Sequence, residues 1–310
     1  MSEPIIYPSV VMLSHTNDPV KVVAAAAKLC YSDVLPDKLY DGLTNEEAEK
    51  FIDRLGSYGH ESPFEHASFT FGISNASRSL LAQITRHRIA SFSVKSQRYT
   101  DSSKAFNPIC PKGIKENTRA FSLWESEMNH DLETYEELQN ILHDQYMYAE
   151  MMKQSENPTN LELRQYFIDS LNLGDKRLEF HFDAPTMKNF DTLILNNLSE
   201  NDSRKKLYKN IKASTRRKAG EEARSILPNA CNTSMVVTMN ARELSHFFEE
   251  RCCRRAQDEI NHLAWDMLDL CKQEAYPLFK NCGPTCYTLG KCNEGHMSCG
   301  KPYVREEKTI

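Results

Sequence analysis

Apolar and polar positions alternate along this chain in two periods, and the changes between them mark out its elements. Asp18-Pro19 offers a cap and a first-turn proline, and Val20, Val23, Ala24 and Ala27 then recur at helical spacing, which predicts a first helix. Thr44-Asn45-Glu46-Glu47 has the form of a capping box and precedes Ala48, Phe51, Ile52 and Leu55 on one face, so a second helix should end near Gly56 to Gly59. From His66 the period becomes two. Phe69, Phe71 and Ile73 alternate with Ser68, Thr70 and Gly72, as in a strand with one buried face. Leu80, Leu81 and Ile84 restore the helical period, and this third helix is expected to run into Arg86-His87-Arg88, whose charges suit a helix C-terminus.

The second half reads in the same way. Trp124, Met128, Tyr135, Leu138 and Leu142 mark a long amphipathic helix, and Leu161, Tyr166 and Phe167 another after Pro158. Leu178, Phe180 and Phe182 suggest a short strand, and Phe190, Leu193, Ile194 and Leu198 a helix. Met235, Val237 and Met239 alternate, and Asn240 with Glu243 three residues on opens a helix. The apolar stripe from Leu244 to Leu268 is expected to form two helices broken near Cys252-Cys253. No repeat or low-complexity linker interrupts the chain, so one domain is expected over residues 1–281, followed by a cysteine-rich tail, 282–310.

Composition narrows the possibilities. The 310 residues hold 38 Lys and Arg against 43 Asp and Glu, a formal net charge of −5, and 40% of positions are apolar. No run approaches the roughly 20 consecutive apolar residues of a membrane-spanning helix, and an acidic total argues against bulk coating of nucleic acid. Met1-Ser2-Glu3-Pro4 shows no basic segment followed by an apolar run, so a cytoplasmic location is expected and the ten cysteines call for something other than a secreted disulfide framework. Between Ser203 and Lys218 lie eight basic residues and no acidic one. They form either a solvated helix face or an electrostatic guide for an anionic substrate.

The densest polar cluster runs from Arg86 to Arg98 and holds Arg86, His87, Arg88, Ser91, Ser93, Lys95, Ser96 and Arg98. Guanidinium forks bind phosphate through paired hydrogen bonds, and serine hydroxyls can complete such a site. A salt-bridged surface turn would have the same composition. Upstream, His60-Glu61-Ser62-Pro63-Phe64-Glu65-His66 is not a zinc-protease helix, because Pro63 interrupts it; contact with a ligand is the better reading.

Arg86-His87-Arg88, seven residues, then Ser96 resembles the signature of the flavin-dependent thymidylate synthases. The stretch from Gly59 to Phe71, Glu221 to Pro228, Asn240-Ala241-Arg242, Arg251 and Ala256-Gln257-Asp258-Glu259-Ile260 resemble the same family in the same order. The resemblance implies an α+β, helix-rich fold around a central, largely antiparallel sheet, enlarged here by a middle segment of about residues 102–218. It implies a homotetramer with active sites shared between subunits, which methylates dUMP to dTMP using methylenetetrahydrofolate and FAD reduced by NADPH. Neither membrane nor nucleic acid is an expected partner. By position, Gln83, Arg86, Ser96, Gln97, Arg98 and Arg224 are expected to hold dUMP, with Arg251 as the catalytic group that stabilises charge on the pyrimidine. Ser62, Arg86, His87, Arg88, Asn240, Arg242 and His246 are expected at the flavin. The chain departs from family habit at Ser93-Val94, where Asn-Glu is common, and at His246, Arg255 and Cys30, where asparagine, histidine and serine are common.

The tail carries Cys282, Cys286, Cys292 and Cys299. Four soft thiolate ligands in a short glycine-rich segment suit tetrahedral zinc, although their spacing lacks the paired Cys-x-x-Cys; an iron–sulfur cluster and free thiols are the other readings. The tail and the basic run could also be read together as a metal-stabilised nucleic-acid-binding module. The acidic total and the lack of interleaved aromatic residues count against that reading.

Overall fold

The computed structural model describes residues 7–96, 106–151, 153, 158–170, 199 and 201–303. The chain divides into two compact units, one of residues 1–95, 107–121 and 229–310, the other of residues 96–106 and 122–228.

The first unit is built on a four-stranded antiparallel sheet in the order β1-β2-β4-β3, with β1 Ser9–His15, β2 Ser68–Ser77, β3 Ala90–Val94 and β4 Asn232–Asn240. The register pairs Phe69 with Met239, Phe71 with Val237 and Ile73 with Met235, so the period-two residues of both central strands share one face. That face is buried beneath α1 (Pro19–Leu29), α3 (Asn45–Tyr58), α9 (Ala241–Arg251) and α10 (Asp258–Phe279), which contribute Val23, Ala24, Ile52, Leu55, Leu244, Phe247, Phe248, Leu263 and Met267 to the same core. Phe279 meets Phe69 edge-on at 5.1 Å. On the opposite face Gly72 leaves room for Leu13, whose Cδ1 would stand 3.3 Å from a Cβ at that position.

Local chemistry sets the helix ends. Thr44 and Glu47 form the expected capping box for α3, with reciprocal bonds of 3.2 and 3.1 Å, and Gly59 ends the helix at φ 68°. Asp18 precedes α1 with φ 46° and makes no side-chain cap; its carboxylate instead accepts a bond from Tyr40 Oη, on α2 (Pro36–Gly42), at 3.1 Å. Ser77 caps α4 (Arg78–Ile84) and donates from its backbone N–H and its hydroxyl to the buried carboxylate of Glu259, at 2.7 and 2.5 Å. Helix α4 then ends at Ile84. The expected continuation into Arg86-His87-Arg88 is corrected, because the chain must turn within a few residues to pair Ala90 with Met239. The break near Cys252-Cys253 is present: Asn261 Nδ2 donates to the carbonyls of Arg251 and Cys253 at 2.8 and 3.0 Å, satisfying groups left open at the end of α9. Helix α10 is bent at Ala275, two residues before Pro277. A short α5 spans Lys112–Lys115, and α11 (Thr285–Thr288) lies in the tail, where Tyr287 and Tyr303 pack edge-on against Trp265 at 5.6 and 5.2 Å.

The second unit holds most of α6 (Thr118–Met151), together with α7 (Pro158–Ser170) and α8 (Ser203–Ala223). Gly220 permits close approach of α8 to α6, since a Cβ there would lie 2.8 Å from Gln139 Nε2. The basic run is not a wholly solvated face: Lys205 is buried, Arg216 donates to Asn140 at 2.6 Å, and the Lys218 ammonium sits 4.0 Å from the centre of the Tyr146 ring. The strand expected at 178–182 and the helix expected at 190–198 lie outside the described residues.

Candidate active site

The turn between α4 and β3 carries Arg86, His87 and Arg88 to one face of α9. Residues 243, 246, 247, 250 and 251 lie on that face because they are three or four apart. Between turn and helix is a cavity of about 810 Å³ lined by Gln83, Arg86, His87, Arg88, Glu243, His246, Glu250 and Arg251.

His87 is 4% exposed and packs edge-on to Phe247 at 5.0 Å. Its Nδ1 lies 3.2 Å from Glu243 Oε1, and its Nε2 is 3.1 Å from Arg251 Nε. A guanidinium N–H can only donate, so Nε2 carries the lone pair and Nδ1 carries the proton given to Glu243. Burial, and next the charge of Arg251, push the imidazole below its ordinary 6.5, which keeps it neutral near pH 7. Asn240, the N-cap of α9, seats Glu243 by accepting its backbone N–H at 2.9 Å. Arg251 Nη2 lies 3.5 Å from Glu250 Oε2, and Glu250 Oε1 is 3.5 Å from His246 Nε2.

Arg86 and Arg88 are exposed on the wall and, among the described residues, have no carboxylate partner. Gln83 is tethered to Gln257, which stands at the N-terminal boundary of α10 without a side-chain cap bond. A second cavity of about 890 Å³ shares Glu243 and His246 with the first and adds Asn240, Arg242 and Ile89. A third, of about 430 Å³, shares His60, Glu61 and Arg242 with the second and adds Ser62 and Cys30. Arg242 itself is paired with Glu65 and, at 3.4 Å, with Glu61.

The structure thus gathers Gln83, Arg86, His87, Arg88, Asn240, Arg242, His246, Arg251 and Ser62 along adjoining cavities of the first unit. Both ring nitrogens of His87 are engaged by the protein. Ser96 follows β3, Arg224 is the C-cap of α8 in the second unit, and Gln97 and Arg98 lie outside the described residues. Glu243 and Glu250 are site residues that the sequence does not single out. The first was absorbed by its helix-cap spacing, and the second carried no signal beyond its i,i+4 relation to His246.

The four tail cysteines are not brought together as a zinc ligand set. Cys282 turns inward to Ser245 Oγ at 3.2 Å and burial pushes its thiol up, whereas Cys292 and Cys299 are exposed. Among the described residues, the ligand atoms that do gather, within 4.8 Å of one another, belong to His87, His246 and Glu250. The positive charge beside them is the guanidinium of Arg251.

Guanidiniums of Arg86 and Arg88 without a carboxylate partner among the described residues, beside a neutral, fully engaged imidazole, suit the holding of anions, and the fold and site define an α+β protein for polyanionic ligands such as nucleotides. Comparison with known proteins is more specific. Residues 11–277 match the family model described as thymidylate synthase complementing protein. The chain is 38% identical over 290 residues to a flavin-dependent thymidylate synthase of Clostridium tetani, covering 94% of this chain and 92% of that one. It is 35% identical over 293 residues to one of Geobacter sulfurreducens, covering 94% of each. A solved flavin-dependent thymidylate synthase of Helicobacter pylori, complexed with FAD and dUMP, has a TM-score of 0.45 and 24% identity, covering 89% of this chain and 99% of that one. The chain belongs to the flavin-dependent thymidylate synthase family.

Proposed function

We propose that this protein converts dUMP to dTMP, with methylenetetrahydrofolate as the one-carbon donor and NADPH as the source of reducing equivalents. The observation that carries this reading is that Arg86-His87-Arg88, the motif through which the chain resembles its family, opens with Arg251 into the 810 Å³ cavity. Arg86 is the phosphate ligand, with Gln83 beside it, and Ser96, Gln97, Arg98 and Arg224 complete the dUMP set. Arg251 stabilises negative charge on the pyrimidine carbonyl and ring nitrogen as the base is activated.

The residues present also fit FAD: Arg88 is a cation without a carboxylate partner among the described residues, and the wall continues through Asn240, Arg242, His246 and Ser62. When bound, the flavin supplies the hydride that completes the methyl group. The protein's part is to hold both ligands, keep the imidazole neutral and present Arg251. The active form is a homotetramer whose subunits share sites.

The test is optical and hydrodynamic. Purified protein, loaded with FAD, should show an oxidised flavin spectrum that bleaches anaerobically with NADPH, at the sedimentation mass of four chains. Protein that takes up no FAD would overturn the reading, and a monomer that turns over would remove site sharing from it. Arg251→Ala should keep the flavin and lose dTMP formation.

A further inference from the structure

We propose that Glu243 and His87 are positioning residues, which act through Arg251 by fixing its guanidinium; the inference rests on the functional reading above. Three bonds run in sequence from one end of α9 to the other. Asn240 Oδ1 holds Glu243 N at 2.9 Å, Glu243 Oε1 faces His87 Nδ1 at 3.2 Å, and His87 Nε2 accepts Arg251 Nε at 3.1 Å. Glu243 and His87 are 8% and 4% exposed, so neither bond is open to exchange with water.

Each link does a distinct thing. Glu243 fixes the tautomer: without a carboxylate on Nδ1, the proton could sit on Nε2 and would face the Arg251 N–H, donor against donor. The lone pair on Nε2 then fixes the arginine, a long side chain with many rotamers that stands on a half-open wall, 23% exposed. With Nε on His87 and Nη2 near Glu250, Nη1 has no partner among the described residues and is left for a ligand. The same geometry accounts for the metal-like gathering of His87, His246 and Glu250, because a guanidinium already supplies the cation.

The test uses the FAD-loaded enzyme. His87→Asn retains a donor near the δ position but offers no acceptor to Arg251; His87→Gln can place an amide oxygen near the ε position. His87→Asn should lower kcat about 10- to 100-fold with flavin content and the KM for dUMP little changed, as expected for a misplaced group. His87→Gln should recover much of that loss. Full turnover by His87→Asn, or no recovery by His87→Gln, would overturn the proposal. The wild type provides a test that needs no variant to fold for activity: ¹⁵N spectra of histidine-labelled protein should show His87 protonated at Nδ1 and bare at Nε2, and the opposite tautomer would contradict it. A wild type that makes no dTMP would instead remove the functional reading on which this one rests.

Discussion

Arg86 and Arg88 stand on a cavity wall with no carboxylate among the described residues to neutralise them, and an anionic ligand is the partner that placement invites. A charge-assisted bond to phosphate contributes about 1.5–3 kcal/mol, so Arg86→Ala should raise the KM for dUMP about 10- to 100-fold. Steady-state kinetics at saturating cofactor would read it, and an unchanged KM would remove Arg86 from the phosphate. His87 makes a prediction of opposite kind, about stability. Its folded-state pKa lies below its ordinary 6.5, so the unfolded chain binds the extra proton first. The neutral, buried imidazole therefore supports the fold fully above about pH 6.5, and that support is lost as pH falls towards the depressed value. Melting temperature should drop through this interval, and His87→Gln should flatten the drop; an equal slope in the variant would assign it to other groups. The arginines of the site were readable from sequence because cations crowd there beyond what a surface turn needs. Glu243 was not, since its spacing from Asn240 already explained it as part of a helix start.

At the scale of elements, strands with one buried face and helices with clear caps were readable, because period and capping are local. Phe69, Phe71 and Ile73 pair with Met239, Val237 and Met235 as alternation implies. β1 was missed because Val10 to Leu13 is an unbroken apolar run, which tertiary pairing with β2 turns into an edge strand. The helical period overextends α4 for a similar reason: the demand of β3 for a partner in β4 cuts it at Ile84, and this cut is what sets Arg86-His87-Arg88 in a turn. The start of α4 depends on Glu259, reached from another helix. Glu259→Ala leaves the buried Ser77 N–H without its acceptor and should destabilise the protein by about 1–3 kcal/mol in denaturant titration. Glu259→Gln, which keeps an acceptor, should lose far less. Because burial raises the Glu259 carboxyl pKa, the folded state binds the extra proton, and stability from this group declines as pH rises above its ordinary 4.5. The glutamine variant should lack that decline, and a decline of wild-type size in it would exclude Glu259 as the source.

For the whole molecule, a formal charge of −5 conceals local excesses of both signs, and the cationic ones differ in use. Those of α8 are partly taken up in packing against α6, while those after α4 face open space. The family was legible because most of its motifs lie in the segments that build the first unit's cavities. Ser96 and the stretch from Glu221 to Pro228 fall instead in the second unit, and the fate of the tail thiols depended on burial of Cys282, which spacing cannot reveal. The most direct test of the central claim is to incubate the purified, FAD-loaded protein anaerobically with dUMP, methylenetetrahydrofolate and NADPH and to quantify dTMP by chromatography. Multiple turnovers that require all three substrates are predicted. Flavin reduction without any dTMP, under conditions in which every substrate is shown to bind, would contradict it.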